Sequence, residues 1–374
     1  MASGGISMRR LNTPSISLLL GLLLLSTAAH AAPFAYITNA ADSTVSVIDT
    51  ATRAVVTTFA VGIGPFGVAV HPDGRTVYTA NLYDNNVSVI DTASNSVVAT
   101  VPVGTWPFGL ALLPDGSALY VANFIDSTVS VIDPAVNAVV ATIPAGLNAR
   151  GVAVHPNGST VYVTNTNGNS VSVIDTTSHL VTATIPVGLQ PRGITVHPNG
   201  KTVYVTNNAG NTVSVIATVA SAVVAANTVV ATIAVGLGPI GVAVHPDGGD
   251  VYVGNRDSGD VYVIDSRTNT VVTTLSVGFS PRGVMVHPDG NSVYVSNSLS
   301  NNVSIIDPIT KTVVDTVAVG AIPFAFGQFI GPLDSDSDGV SDPLDNCPLI
   351  ANPGQEDVDA SGRGDLCDAL PPGC

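Results

Sequence analysis

The sequence predicts an all-β fold, a seven-bladed β-propeller with four-stranded blades, followed by a small tail of different construction. Three observations carry this. A Tyr followed three residues later by an Asn recurs periodically at Tyr36, Tyr78, Tyr120, Tyr162, Tyr204, Tyr252 and Tyr294, in steps of 42 residues with a single step of 48. A fixed period of that size marks a repeat architecture. Within each period the text is β, as in Thr160-Val-Tyr-Val-Thr-Asn165, Ser170-Val-Ser-Val-Ile-Asp175 and Leu180-Val-Thr-Ala-Thr-Ile185, with Gly, Pro, Asn and Asp between the runs. Only 10% of residues are charged and the mean hydropathy is +0.43, which suits strands buried between stacked blades.

The chain divides into three parts. Residues 1–31 read as a signal peptide: Arg9 and Arg10 precede an apolar run from Ile16 to Leu25, and Ala29-His-Ala31 supplies an A-x-A cleavage site. The run is too short for a membrane span, and no Cys stands at the cleavage point to carry a lipid. Residues 32–330 form the propeller and 331–374 the tail. Each full repeat opens with an inner strand and turn such as Arg192-Gly-Ile-Thr-Val-His-Pro-Asn-Gly200, in which Pro fixes φ and Gly accepts a positive φ. The first copy lacks its inner strand, and Pro323-Phe-Ala-Phe-Gly-Gln-Phe-Ile330 is left over at the end. The expected closure places 322–330 in the blade begun at residue 34, which removes the open edges of the array. The 48-residue step is assigned to Ala217–Ala226, a hairpin between the two outer strands that is six residues longer than its counterparts.

Net charge is −15. The tail holds ten acids and one base, the propeller 17 acids and nine bases. This balance argues against nonspecific nucleic-acid binding, which depends on Lys and Arg neutralising phosphates.

Tyr162-Val-Thr-Asn165 and Tyr204-Val-Thr-Asn207, set among His-Pro-Asn-Gly and Val-Ser-Val-Ile-Asp, resemble the YVTN family of β-propeller repeats over residues 34–330. That resemblance implies the fold. Its functions are mixed, spanning surface-layer proteins, periplasmic binding proteins and, more distantly, lactonases and redox-enzyme propellers, and a fold does not give a function.

The tail carries the clearest metal chemistry. Asp334, Asp336, Asp338, Asp342 and Asp345 stand at positions 1, 3, 5, 9 and 12 of a twelve-residue loop with Gly339 at position 6. Val340 would offer its carbonyl at position 7, as in an EF-type calcium loop. A second copy runs through Asp357, Asp359, Ser361, Arg363 (carbonyl), Asp365 and Asp368, with Gly362 in register. Asp345-Asn-Cys-Pro, Asn352-Pro-Gly-Gln355 and Gly364-Asp-Leu-Cys-Asp368 are similar to the thrombospondin type 3 repeat over 334–368. Ser361 departs from that pattern, where an Asp or Asn is usual. The resemblance implies calcium as the organising cofactor and a disulfide between Cys347 and Cys367. An exported chain permits a disulfide, and Cys374 remains for a link to a partner.

In the propeller, the residue opening each inner strand should form a ring at one mouth of the channel: Phe66, Phe108, Arg150, Arg192, Ile240, Arg282 and Phe324. Arg150, Arg192 and Arg282 are candidates to grip an anion, and Trp106, the single Trp, is placed to stack on a ligand. His71, His155, His197, His245 and His287 recur at one blade position, with Leu113 in the third copy. They are read as turn residues, because equivalent positions on separate blades cannot converge to the roughly 2 Å a metal needs. The Asn of each Tyr-x-x-Asn should tie down its following loop, and Asp49, Asp91, Asp133, Asp175, Asp265 and Asp307 should cap turns. Asp257 and Asp260, beside Arg256, read as a solvated loop. No Gly-x-Ser-x-Gly, Walker, His-Glu-x-x-His or Cys-x-x-Cys-His pattern is present. The expectation is a secreted, non-enzymatic binding or scaffold protein, whose partner is a protein, a polysaccharide or a small anion. The alternatives are a lactonase-like or other enzyme acting at the channel mouth, and binding of single-stranded nucleic acid or an anionic polymer.

Overall fold

The computed structural model describes residues 1, 33–219, 225–333, 342, 345–347, 350, 352–357 and 364–368. The expected signal peptide, residues 1–31, lies outside them apart from Met1. Seven antiparallel sheets follow one another in chain order. The fourth blade shows the plan: Ala149–Val154, Thr160–Asn165, Ser170–Asp175 and Leu180–Pro186 pair in sequence from the inside outward. The second strand is almost wholly buried, whereas the fourth exposes most of its length. Val and Ile alternate across the middle strands, so each sheet carries apolar side chains on both faces. The core is therefore divided into clusters between successive blades. Tyr162, Val173 and Ile185 of the fourth blade, for example, pack on Ile194, Val203, Val205 and Ile216 of the fifth.

The ring closes as the leftover strand requires. The first sheet has three strands, Phe34–Asn39, Thr44–Asp49 and Ala54–Ala60, and residues 323–330 lie along the first of them. Tyr36 N donates to Phe329 O at 2.7 Å, and Phe324 N donates to Thr38 O at 2.9 Å. The pairing is antiparallel but irregular, reduced to bridges at Ala35–Ile330 and Asn39–Pro323. The same segment also bonds the next inner strand, since Val68 N donates to Phe326 O at 3.1 Å. Phe329 and Ile330 are buried with Ile37, Val47, Tyr294 and Ile305, which joins the first blade to the last. The long hairpin falls where expected, with Thr212–Ala217 paired to Thr228–Ala234 and residues 220–224 outside the description.

The repeat residues are fold residues. Asn81 Nδ2 donates to Ser88 Oγ at 2.8 Å and to Asn86 Oδ1 at 2.7 Å, closing the hairpin that follows it, and the pattern recurs at Asn39, Asn123, Asn165, Asn207 and Asn297. Asp91, Asp175 and Asp307 accept backbone N–H groups of their turns, as capping requires. The histidines do more than hold their own turns. His155, His197 and His245 each place Nε2 within 2.8–3.0 Å of the carbonyl of Gly200, Gly248 or Gly290 in the following blade, and His287 reaches Thr50 in the first. They are blade-to-blade staples on the face opposite the mouth.

Candidate functional site at the channel mouth

Each inner strand begins with a β-bulge. In the second blade Pro65 pairs with Asn81 and Val68 with Thr79, so Phe66 and Gly67 are held out of register, and the same shift recurs in blades three to seven. Bulges of this kind re-aim a side chain, and here they set one residue of each blade into the mouth. The following glycine is obligatory, because a Cβ on Gly151 or Gly193 would strike the carbonyl of Arg192 or Ile240 on the next inner strand. Adjacent inner strands thus come together just below the mouth.

The ring has two halves. On one side Phe66 lies 5.3 Å from Phe108 and 4.1 Å from Phe324, centroid to centroid. The arc continues through Phe124, 5.4 Å from Phe108, to Trp106, 6.4 Å beyond it in a stacked arrangement. Trp106 is 39% exposed, and its backbone, at φ 55°, is held by a bond from its N–H to Asn85 Oδ1. At both ends the aromatic arc passes into cations: Arg150 sits 4.2 Å over the Phe108 ring and Arg282 4.3 Å over Phe324, at cation–π range. The other half holds Arg150, Arg192 and Arg282 with Ile240.

None of these arginines forms a direct salt bridge among the described residues, and the opposing charge acting on Arg192 and Arg282 is that of Asp257. Arg150 is only 8% exposed, and no acceptor for its guanidinium stands among the described residues. Arg192 Nε is buried without a partner. Burial, then repulsion from Arg192 and Arg282, holds Arg150 well below the ordinary arginine range. Burial likewise pushes Arg192 and Arg282 down to about 10. A buried cation is costly unless paired, and a bound anion would offset that cost here.

One carboxylate joins the cluster. Asp257, on the loop between Asp250–Asn255 and Asp260–Asp265, accepts a two-pronged bond from Arg256 at 2.7 and 2.8 Å. That bond, then the charges of Arg256, Arg192 and Arg282, hold it below the usual carboxylate range despite some burial. The loop is solvated as expected, with the Asp257 side chain 48% accessible, but its charge is set by the arginines around it. Asp260 does point elsewhere, accepting from Asn255 and Ser258. Sequence reasoning could not see that a loop of the sixth blade faces arginines of the fifth and seventh.

A separate cavity of about 510 Å³ occupies the channel below the glycines, lined chiefly by aliphatic inner-strand residues such as Leu112, Val154, Val196 and Val286, with prolines at its far end.

In the tail, Cys347 and Cys367 form the expected disulfide. Of the twelve calcium candidates, Asp334, Asp336, Asp338, Val340, Asp359, Ser361 and Arg363 lie outside the described residues, as does Cys374. Asp342, Asp345, Asp357 and Asp365 lie within them, as does the backbone of Asp368, and no cluster of three or more metal-ligating side chains occurs among the described residues. Asp345 shows what a cation would complete. Its Oδ1 accepts from Cys347 N at 2.7 Å and Gln355 Nε2 at 2.9 Å, while Oδ2 is buried without a partner. No described helix is long and apolar enough to cross a membrane.

Comparison with known proteins fits this geometry. A family model described as lactonase, 7-bladed beta-propeller, matches residues 135–236 and 175–316, and the thrombospondin type 3 repeat model matches 333–355. Among solved structures, Kuenenia stuttgartiensis hydrazine synthase shares 27% identity, covering 73% of this chain and 91% of that one, with a TM-score of 0.67. A candidate 6-phosphogluconolactonase from Bacteroides uniformis shares 17% identity over 78% of this chain and 98% of its own, with a TM-score of 0.67. A second, from Bacteroides fragilis, shares 18% over 79% and 97%, with a TM-score of 0.66. At such identities the last two show the fold. No curated protein matches the chain in sequence. The lactonase match overturns the expectation of a non-enzymatic scaffold: the propeller is similar to an enzyme family, and the mouth holds a carboxylate among cations where the sequence suggested Arg and Phe alone.

Proposed function

We propose that the propeller is a lactonase-type hydrolase whose substrate is a lactone bearing a phosphate or carboxylate, bound at the Arg150–Arg192–Arg282 mouth. The observation that carries this is the convergence of three arginines from three blades, with Arg150 buried and without an acceptor, in a chain that matches a lactonase model. The aromatic half offers a face on which a sugar ring stacks. In this reading Asp257, ionised at neutral pH, orients a water and takes its proton as the oxygen attacks the lactone carbonyl. A guanidinium holds the oxyanion. The ring C–O bond then breaks and the proton passes to the departing ring oxygen, giving the hydroxy acid. The double variant Arg150→Ala with Arg192→Ala should lower kcat/KM on a phosphorylated gluconolactone by about 100-fold or more while leaving the melting temperature close to that of the unmodified protein. Equal rates in the two proteins would exclude this face.

For the tail we infer calcium, held by the two Asp loops, and export of the chain through residues 1–31. Support comes from the repeat match at 333–355, the orphaned Asp345 oxygen and the disulfide. Chelation should make residues 331–374 protease-sensitive and change the circular dichroism of the full chain; no change in either measurement would refute the calcium role.

A further inference from the structure

The loops of the mouth face hold many apolar side chains out in solvent, among them Ile63, Tyr83, Ile125 and Leu147. At one place such side chains flank a cavity that also carries cations. Between the sixth and seventh blades a groove of about 460 Å³ is lined by Arg256, Asp257, Ser280, Arg282, Phe279 and Leu299. Phe279 is 74% and Leu299 69% exposed, and both are held by backbone bonds: Leu299 N donates to Phe279 O at 3.1 Å, and Phe279 N to Ser300 Oγ at 2.7 Å. Among the described residues Arg282 makes one hydrogen bond, from Nε to Ser280 Oγ at 3.4 Å, besides packing over the Phe324 ring, and it lines the groove. An exposed apolar shelf on a hydrogen-bonded backbone beside a cation is complementary to a molecule with the same two parts. A fully polar ligand would leave Phe279 and Leu299 without a role, and exposed apolar surface of this kind marks a contact site.

We propose that this groove binds the aliphatic arm of an amphiphilic anion, with the head group on Arg282 and Arg256 and the chain lying across Phe279 and Leu299. The inference rests on the mouth as an anion site and not on turnover there. Under the lactonase reading it assigns the substrate class as lactones that carry an acyl or alkyl arm.

The test is isothermal titration of the full protein with n-alkanoates from butanoate to dodecanoate, below their micelle concentrations. Affinity should rise about fourfold per added methylene until the groove is filled. Phe279→Ser with Leu299→Ser should flatten that rise, while Arg282→Gln should weaken every chain length by a common factor and keep the slope. Ile63→Ser with Tyr83→Ser, on other loops of the same face, should change neither. Affinity independent of chain length, or a slope untouched by the Phe279/Leu299 change, overturns the proposal. So does binding to anionic phospholipid vesicles without binding of soluble alkanoates. A chain-length dependence found in a protein that hydrolyses no lactone refutes the enzyme reading and leaves the groove standing. Hydrolysis without that dependence refutes the groove alone.

Discussion

Single residues at the two ends of the channel have opposite electrostatic tasks. At the mouth, Arg192 and Arg282 are pushed down to about 10 by burial, so they stay charged through neutral pH and lose their protons at the alkaline end. Anion binding should accordingly hold constant from neutrality to about pH 9 and fall away near 10, measurable by titration with inorganic sulfate, whose charge is fixed across that range. On the opposite face, the bond to Asp73 raises His71 above the ordinary histidine value against an opposing effect of burial. Its Nδ1 lies 2.8 Å from Asp73 Oδ1, and its Nε2 lies 3.3 Å from Gly116 O in the third blade. A raised folded-state value means that the contribution is complete below the unfolded histidine value of roughly 6.5 and is lost as pH rises through the folded one. The stability advantage of the unmodified protein over His71→Gln, read by urea denaturation, should therefore be largest at pH 5 to 6 and shrink toward pH 8. A difference that grows with pH would show that the protonated pair does not stabilise the fold.

At the level of the element, the inner strand decides the site. Its bulge turns one side chain into the mouth, and its glycine lets the neighbouring strand approach. Gly193→Ala sets a Cβ against the Ile240 carbonyl, a backbone contact that a side-chain rotation cannot relieve. The substitution should cost about 1–3 kcal/mol, the usual range for overpacking, and should weaken anion binding as well, since Arg192 and Ile240 flank the clash. A melt and a phosphate titration that both match the unmodified protein would show the strand spacing to be adjustable. The closing segment is the exception that explains the rule: Ala325 takes the glycine's place there only with its backbone turned to φ 44°, and the regular ladder breaks into isolated bridges.

For the whole molecule, the propeller was legible because its signal is redundant. Seven periodic copies of Tyr-x-x-Asn, each with its Asn buried and bonded to the following strand, leave one architecture, and the missing first strand and spare last one predicted the closure. The arginine ring was legible too, as equivalent positions of a closed repeat must share a mouth. What escaped was everything that depends on contact between blades. The Arg256–Asp257 loop is solvated, as its sequence suggests, but the sequence does not show which charges it faces; the histidines look like local turn residues, and the bulge glycines give no hint of the carbonyl they spare. The charge of Asp257 is set first by Arg256 and then by Arg192 and Arg282, which lie 65 and 25 positions away in the chain. The functional expectation was overturned by the lactonase match, and the carboxylate beside the arginines is the group the proposed hydrolysis would use. The most direct test of that account is the hydrolysis rate of a phosphorylated gluconolactone by the unmodified protein and by the Arg150→Ala/Arg192→Ala variant, above the spontaneous background. The unmodified protein should turn the lactone over and the variant should lose about 100-fold or more; turnover that survives the double substitution, or a rate at background in the unmodified protein, would rule out the arginine mouth as a lactonase site.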